Sequence, residues 1–185
     1  MIDAILNGQD LHDMTASRLF GSDFTSDQRK LAKGVGFGKV YGGGKSTLAR
    51  EAGVTELEAE KALAAFDRSF PRVQRWTKGL IDKCTHGEPL VILPTGREIP
   101  LERRYGYRAV NYLIQGLAAE IFKGSLIELH NAGLDDHLLV PVHDEIITQI
   151  REEDAEEFAH TLIDIMSGEL GPVPIEADAE VIGRS

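Results

Sequence analysis

The sequence predicts an α+β fold, and three observations lead there. Helix-like and strand-like segments mix along the chain without a regular strand-helix-strand rhythm, which argues against a doubly wound parallel sheet. The strand-like segments are short and meet across turn residues, as antiparallel hairpins do. With 185 residues, 42% hydrophobic and 27% charged, the chain has enough apolar surface for one ordinary buried core.

In order along the chain, residues 1–50 read as helical in two pieces. Thr25-Ser26-Asp27 supplies N-cap candidates, and Gly42-Gly43-Gly44 stops the second piece, so a helix is predicted over 26–41. Thr55 with Glu58 three positions on forms a possible capping box, and Ala59, Leu63, Phe66 and Phe70 make one apolar stripe before Pro71. Residues 90–101 read as a short β segment turning at Pro94-Thr95-Gly96-Arg97. A long helix then runs from Tyr107 to Leu129, with Val110, Leu113, Ile114, Leu117 and Ile121 at helical period. Leu138–Val142 and Ile146–Ile150 read as two apolar strands meeting at the charged tip His143-Asp144-Glu145. An amphipathic helix with Ala155, Phe158, Ala159, Leu162, Ile163 and Met166 on its core face follows and ends at Gly168. Ile175–Val181 alternates apolar with Glu176, Asp178 and Glu180, as a half-buried edge strand should.

Composition narrows the function classes. No window approaches eighteen apolar residues, and Met1-Ile2-Asp3-Ala4 lacks the parts of a signal peptide, so neither a membrane nor a secretory protein is expected. The single Cys84 can form no internal disulfide; it suits a reducing cytoplasm and reads as a small buried side chain. The net charge of -10 divides unevenly, with +3 over residues 1–110 and -13 over 111–185. A basic first part and an acidic last part suit an anion and a metal cation respectively. The run Glu152, Glu153, Asp154, Glu156, Glu157 reads as the solvated start of a helix.

Gly42-Gly43-Gly44-Lys45-Ser46-Thr47 invites a P-loop reading, but Lys39 stands where the first P-loop glycine belongs, and the preceding segment reads as helix rather than strand. More informative are Arg29, Lys33, Phe37 and Tyr41, four residues apart each time, so that successive side chains step only about 40° around a helix. Two cations followed by two aromatics on one face suit a nucleoside triphosphate; the other reading is a core stripe with snorkelling cations. On the long helix, Arg108, Asn111 and Gln115 line a polar face that meets either a ligand or solvent.

The run Arg29-x3-Lys33-x3-Phe37-x3-Tyr41-Gly42 resembles the fingers-helix motif B of family A DNA polymerases, the DNA polymerase I family. Val142-His143-Asp144-Glu145 resembles their motif C; Asn111-Tyr112-Leu113-Ile114-Gln115-Gly116 with Ala118-Ala119 is similar to the palm helix that meets template and primer; Asp10-Leu11-His12 is similar to the segment whose histidine helps hold the triphosphate. Order and spacing agree along nearly the whole chain, most closely with phage members.

The resemblance implies a helical fingers region over 13–102 and a partial palm over 1–12 and 103–185, with the motif C hairpin at 138–150. It implies that His12, Arg29 and Lys33 contact the incoming deoxynucleoside triphosphate, that Phe37 stacks near its sugar, and that Tyr41 sits by the templating base. Arg108, Asn111 and Gln115 would face the minor groove of primer-template DNA; the family's arginine lies a residue nearer the start than Arg108. His143 would position the primer terminus, Asp144 would bind catalytic Mg²⁺, and Glu145 would support it. A two-metal site needs a second aspartate, which the family supplies from motif A. Asp3 is the sole carboxylate before Asp10 and shows none of that pattern. The end at Gly183-Arg184-Ser185 also departs from the family, which continues past the glycine to a tryptophan.

The expectation is therefore the C-terminal part of a template-directed DNA polymerase of a bacterial or phage-infected cell, inactive without a motif A-bearing upstream segment or partner subunit. The alternative is a non-catalytic nucleotide- or DNA-binding module derived from a polymerase; a P-loop hydrolase is the third class.

Overall fold

The computed structural model describes residues 1–183; Arg184 and Ser185 of the C-terminal Gly183-Arg184-Ser185 lie outside the described residues. Four helices fill the first fifty-two positions: α1 (Ile2–Leu6), α2 (Leu11–Phe20), α3 (Ser26–Tyr41) and α4 (Lys45–Ala52). The sequence pattern predicts two pieces there, with the second starting after Thr25 and stopping at Gly42; the two further helices come from a break at Gly8, which takes positive φ, and from α4 starting beyond the Gly42 stop. Helix α3 has the predicted bounds. Thr25 caps it by accepting from the Gln28 amide while Gln28 Oε1 accepts from the Thr25 amide, a reciprocal capping box. Gly42 ends it in the left-handed region at φ 69°. A side chain at Gly42 would also meet the Tyr107 carbonyl oxygen at 2.8 Å, so both conformation and space require glycine.

Helix α5 (Glu56–Ser69) starts at the second predicted capping box, Thr55 with Glu58. Pro71 then occupies the first turn of α6 (Pro71–His86), where a missing N–H costs nothing. The hairpin β1 (Leu90–Ile92) and β2 (Glu98–Pro100) follows as the turn residues predict. Residues Arg103–Arg108 form a 3₁₀ turn that the periodicity does not foresee, so α7 (Ala109–Asn131) begins two residues later than expected. That turn packs directly on α6: a Cβ at Gly106 would lie 2.2 Å from Thr85 Oγ1 and 2.9 Å from Thr85 Cα.

The chain divides into two compact units, one over Asp3–Leu117 and one from Ala118 onward, whereas the resemblance draws its boundary at 102/103. In the first unit, Leu31 and Val35 of α3, Leu48 and Ala49 of α4, and Ala59, Phe66 and Phe70 of the α5 segment form one buried cluster. A second cluster joins Cys84 of α6 to Val91, Leu93 and Ala109.

The second unit contains β3 (Leu138–Val142) and β4 (Glu145–Thr148), paired antiparallel with an irregularity between Leu138 and Val140, and helix α8 (Ala155–Met166). Its core is small: Leu129, Phe158 and Leu162, with Leu134, Leu138, Ile146 and Ile150 packed against them. A last hairpin pairs β5 (Gly168–Leu170) with β6 (Val173–Ile175). The strand expected over Ile175–Val181 is corrected here. Regular pairing stops at Ile175, because a strand needs a partner backbone and alternation alone does not supply one. The Ala177 amide donates to Ser167 Oγ at 3.1 Å instead, and Gly168 opens β5 rather than ending α8, which closes at Ser167. The architecture is α+β, with three two-stranded antiparallel sheets among the described residues.

Candidate functional site

The core face of α3 is Leu31, Ala32 and Val35, all at most 6% exposed. Its other side carries Lys33, Phe37 and Tyr41 in the open, with Phe37 47% and Tyr41 50% exposed. The four-residue stripe is thus not the core stripe. His12, in the first turn of α2, extends it: its ring centre lies 6.0 Å from that of Phe37, which lies 6.2 Å from that of Tyr41. The Lys33 ammonium sits 5.7 Å from the Phe37 ring centre, within cation-π range. His12, Lys33, Phe37 and Tyr41 therefore form one contiguous aromatic and cationic surface.

Arg29 belongs to the same helix but is engaged. Its Nη2 meets Asp10 Oδ2 at 2.7 Å and its Nε donates to Asp13 Oδ1. Hydrogen bonding to Asp13, with the charges of Asp10 and Asp13, raises the Arg29 pKa. Asp10 is also the N-cap of α2, accepting from the His12 and Asp13 amides at 2.7 and 2.9 Å. The Asp13 amide is the main cause holding the Asp10 carboxyl below its ordinary value. Asp13 was not singled out by sequence reasoning: a pair between residues 13 and 29 has no local spacing to announce it.

The 3₁₀ turn supplies a second group. The Arg104 guanidinium lies 4.8 Å from the Tyr105 ring centre, and that of Arg108 lies 4.9 Å from Tyr105 and 5.4 Å from Tyr107. Arg108 Nε donates to the Tyr107 hydroxyl at 3.1 Å, which raises its pKa. Along the adjoining α7, Asn111 is half-buried and Gln115 exposed. Tyr105, Tyr107 and Arg104 were missed by the sequence reading, although Arg103-Arg104-Tyr105-Gly106-Tyr107-Arg108 interleaves cations with aromatics, a signal for nucleic-acid contact.

In the second unit, pairing of Val142 with Glu145 leaves His143 and Asp144 as a two-residue turn. His143 takes φ 58°, the one positive φ outside glycine among the described residues. His143, Asp144 and Glu145 are all exposed. Asp144 and Glu145 line a groove of about 580 Å³ whose rim also carries Glu176, Asp178 and Glu180, with Ile121 and Leu162 among its apolar floor. No cation is among its described lining residues.

An exposed carboxylate on a tight turn is the kind of hard oxygen donor Mg²⁺ takes, but the ion needs several ligands. Among the described residues no group of three or more His, Cys, Asp or Glu could hold a metal ion. The exposed Asp144 carboxylate is a donor of the chemical kind that fits such an ion.

The P-loop reading finds no structural support. The residues before Gly42 are helix α3, and Lys45 is paired with Glu60 at 2.7 Å, which raises its pKa. Among the described residues no helix is long and apolar enough to cross a membrane.

Comparison with known proteins agrees with the family resemblance. The DNA polymerase family A model matches residues 1–185. The DNA polymerase of Mycobacterium phage D29 is 40% identical over 187 residues, covering 100% of this chain and 31% of that protein. The DNA polymerase of Mycobacterium phage L5 is 36% identical, covering 100% and 30%, and DNA polymerase I of Helicobacter pylori strain J99 is 31% identical, covering 100% and 22%. The chain thus spans about a third or less of the relatives it matches. Among solved structures, the POL domain of Pol1 from M. smegmatis, in complex with DNA primer-template and dNTP, superposes with a TM-score of 0.78 at 27% identity, over 95% of this chain and 34% of that one. A family match over every residue, with relatives aligned from end to end of the chain, establishes that it belongs to the family A DNA polymerases.

Proposed function

We propose that the chain is the C-terminal part of a template-directed DNA polymerase, carrying the deoxynucleotide-binding fingers helix and one carboxylate of a two-metal nucleotidyl-transfer site. The observation that carries the reading is the contiguous face of half-buried His12 with exposed Lys33, Phe37 and Tyr41 on a family A chain. In this reading residues 13–102 are fingers, and 1–12 with 103–185 are palm.

Lys33 and Arg29 neutralise the triphosphate, and His12 contributes a ring nitrogen to its phosphates. Phe37 offers an apolar wall to the sugar, and Tyr41 stacks beside the templating base. Arg108, Asn111 and Gln115, joined by Tyr105 and Arg104, meet primer-template DNA, the arginines on phosphate and the amides on base edges in the minor groove. That the M. smegmatis Pol1 domain was captured with primer-template and dNTP supports both partners. His143 positions the primer terminus. Asp144, with Glu145 in support, would be one ligand of a Mg²⁺ pair, which would supply a lowered pKa at the primer hydroxyl and charge stabilisation for the leaving pyrophosphate.

The second aspartate comes from a motif A-bearing segment, the N-terminal part or a partner subunit, seated along the hairpin. The exposed apolar side chains of that hairpin, Leu139 at 58%, Val140 at 43% and Val142 at 39%, support such a cover. Phage and bacterial relatives support action in the cytoplasm of a bacterial or phage-infected cell. A second reading, a module that binds nucleotide and DNA without transfer, is favoured by the absence of a three-carboxylate cluster among the described residues.

Primer extension decides between them. The chain alone should extend no primer; the chain mixed with a motif A-bearing segment should extend it; and Asp144→Asn should abolish that activity by about a thousandfold or more, the loss expected of a metal ligand worth several kcal/mol. Activity surviving Asp144→Asn removes the polymerase assignment, and no extension by any mixture favours the non-catalytic module.

A further inference from the structure

The cation expected to grip the triphosphate is already gripped. Arg29 gives Nη2 to Asp10 and Nε to Asp13, so two of its three nitrogens face carboxylate oxygens of α2, the same hard, anionic acceptors a phosphate would present. The carboxylates are also an electrostatic counterweight. Arg29 and Lys33 bring two positive charges to the face, and Asp10 and Asp13 bring two negative ones, leaving it near neutral where a polyanion is to bind. The arrangement is open to exchange: the side chains of Arg29, Asp10 and Asp13 are 40%, 44% and 52% exposed, so water and ions reach all three.

The two carboxylates are not equivalent. Asp10 Oδ1 is committed to capping α2, and only Oδ2 turns to Arg29. Asp13 lies inside the first turn, where an acidic residue is favoured by the helix dipole, and spends its Oδ1 on the guanidinium. We propose that Asp10 and Asp13 form a carboxylate latch that holds Arg29 against α2 until triphosphate takes the guanidinium over, so that deoxynucleotide affinity is set by competition between these carboxylates and phosphate. Asp10 and Asp13 are then positioning residues of the nucleotide site, acting through Arg29. This inference rests on the assignment of the α3 face to the triphosphate.

A purely structural pair and a latch predict opposite signs. If the carboxylates only brace α2 against α3, neutralising one loosens the face and weakens triphosphate binding. If they compete, neutralising one tightens it even while the fold loses stability. The test is a calorimetric titration of the full 185-residue chain with deoxyadenosine triphosphate and, separately, inorganic triphosphate, alongside a thermal melt of each variant. Asp13→Asn should bind both ligands about two- to fivefold more tightly at low salt, the scale of an exposed ion pair, with the gain shrinking as salt rises. Its melting temperature should be unchanged or lower. Asp10→Asn keeps a capping oxygen and should show a gain of the same sign. Arg29→Ala should weaken binding, and adding Asp13→Asn to it should bring no further change.

Weaker or unchanged binding by both carboxylate variants, with Arg29→Ala still harmful, overturns the latch and leaves the nucleotide face standing. A gain of equal size in the Arg29→Ala background overturns it too, since the effect would then be general charge rather than release of Arg29. Unchanged binding by Arg29→Ala overturns the assignment of Arg29 to the triphosphate and the latch with it.

Discussion

The cationic face of α3 and the acidic tip of the 138–150 hairpin are both exposed, but for different physical reasons. Behind the first lie Leu31 and Val35, packed with Leu48, Phe66 and Phe70, so one side of the helix is fully committed to a core and the other is free by construction. The helix is also capped at both ends, by Thr25 with Gln28 and by Gly42. The hairpin has its base against Leu129, Phe158 and Leu162, yet beyond that base its apolar side chains stay in the open. A binding surface on a well-supported helix has its geometry set within one unit. A side chain on a thin, largely uncovered hairpin has little packing of its own to set its geometry. In the proposed reading, the nucleotide-binding face is therefore the better supported of the two regions and the metal-binding tip the less supported.

The largest expected effect breaks the better-supported region. Phe66→Ala empties the centre of the first cluster and should cost about 3–5 kcal/mol, lowering the melting temperature and deoxynucleotide binding together. The corresponding removal in the hairpin should do little: Val140→Ser, at a position already 43% exposed, should shift the stability of the lone chain by under about 0.5 kcal/mol. It should nonetheless weaken association with a motif A-bearing segment, which sedimentation of the mixture would show. Equal costs at the two positions would erase the contrast. Between these lies Gly106→Ala. Its Cβ would come within 2.9 Å of the Thr85 backbone, which cannot rotate away, so a loss of about 1–3 kcal/mol is expected together with weaker primer-template binding through Arg104 and Tyr105. Normal stability with normal DNA affinity would show that the turn does not need its close seat on α6.

Local chemistry was legible and long-range pairing was not. The bounds of α3, the capping box of α5, the 90–101 hairpin and a charged tip follow from signals within a few residues: a cap, a turn, a period; of the expected tip His143-Asp144-Glu145, Glu145 pairs with Val142 and belongs to β4. The 3₁₀ turn at Arg103–Arg108 was hidden because short 3₁₀ segments leave no hydrophobic period to read. The strand expected over Ile175–Val181 failed for the opposite reason, since its period is present and its partner is not. The stripe of Arg29, Lys33, Phe37 and Tyr41 could be placed on one face, but two readings remained until burial separated it from Leu31 and Val35. The link from Arg29 to Asp10 and Asp13 joins two helices, and no spacing rule within either could reveal it.

In the proposed reading, nucleotide binding by the α3 face is supported within this chain and does not depend on Asp144. A titration of the chain with deoxyadenosine triphosphate and Mg²⁺, repeated with Lys33→Ala and with Asp144→Asn, tests it directly. Saturable binding is expected, weakened about tenfold or more by Lys33→Ala through loss of a charge-assisted contact, and altered less than about twofold by Asp144→Asn. Binding that ignores Lys33→Ala, or that disappears with Asp144→Asn, would contradict it.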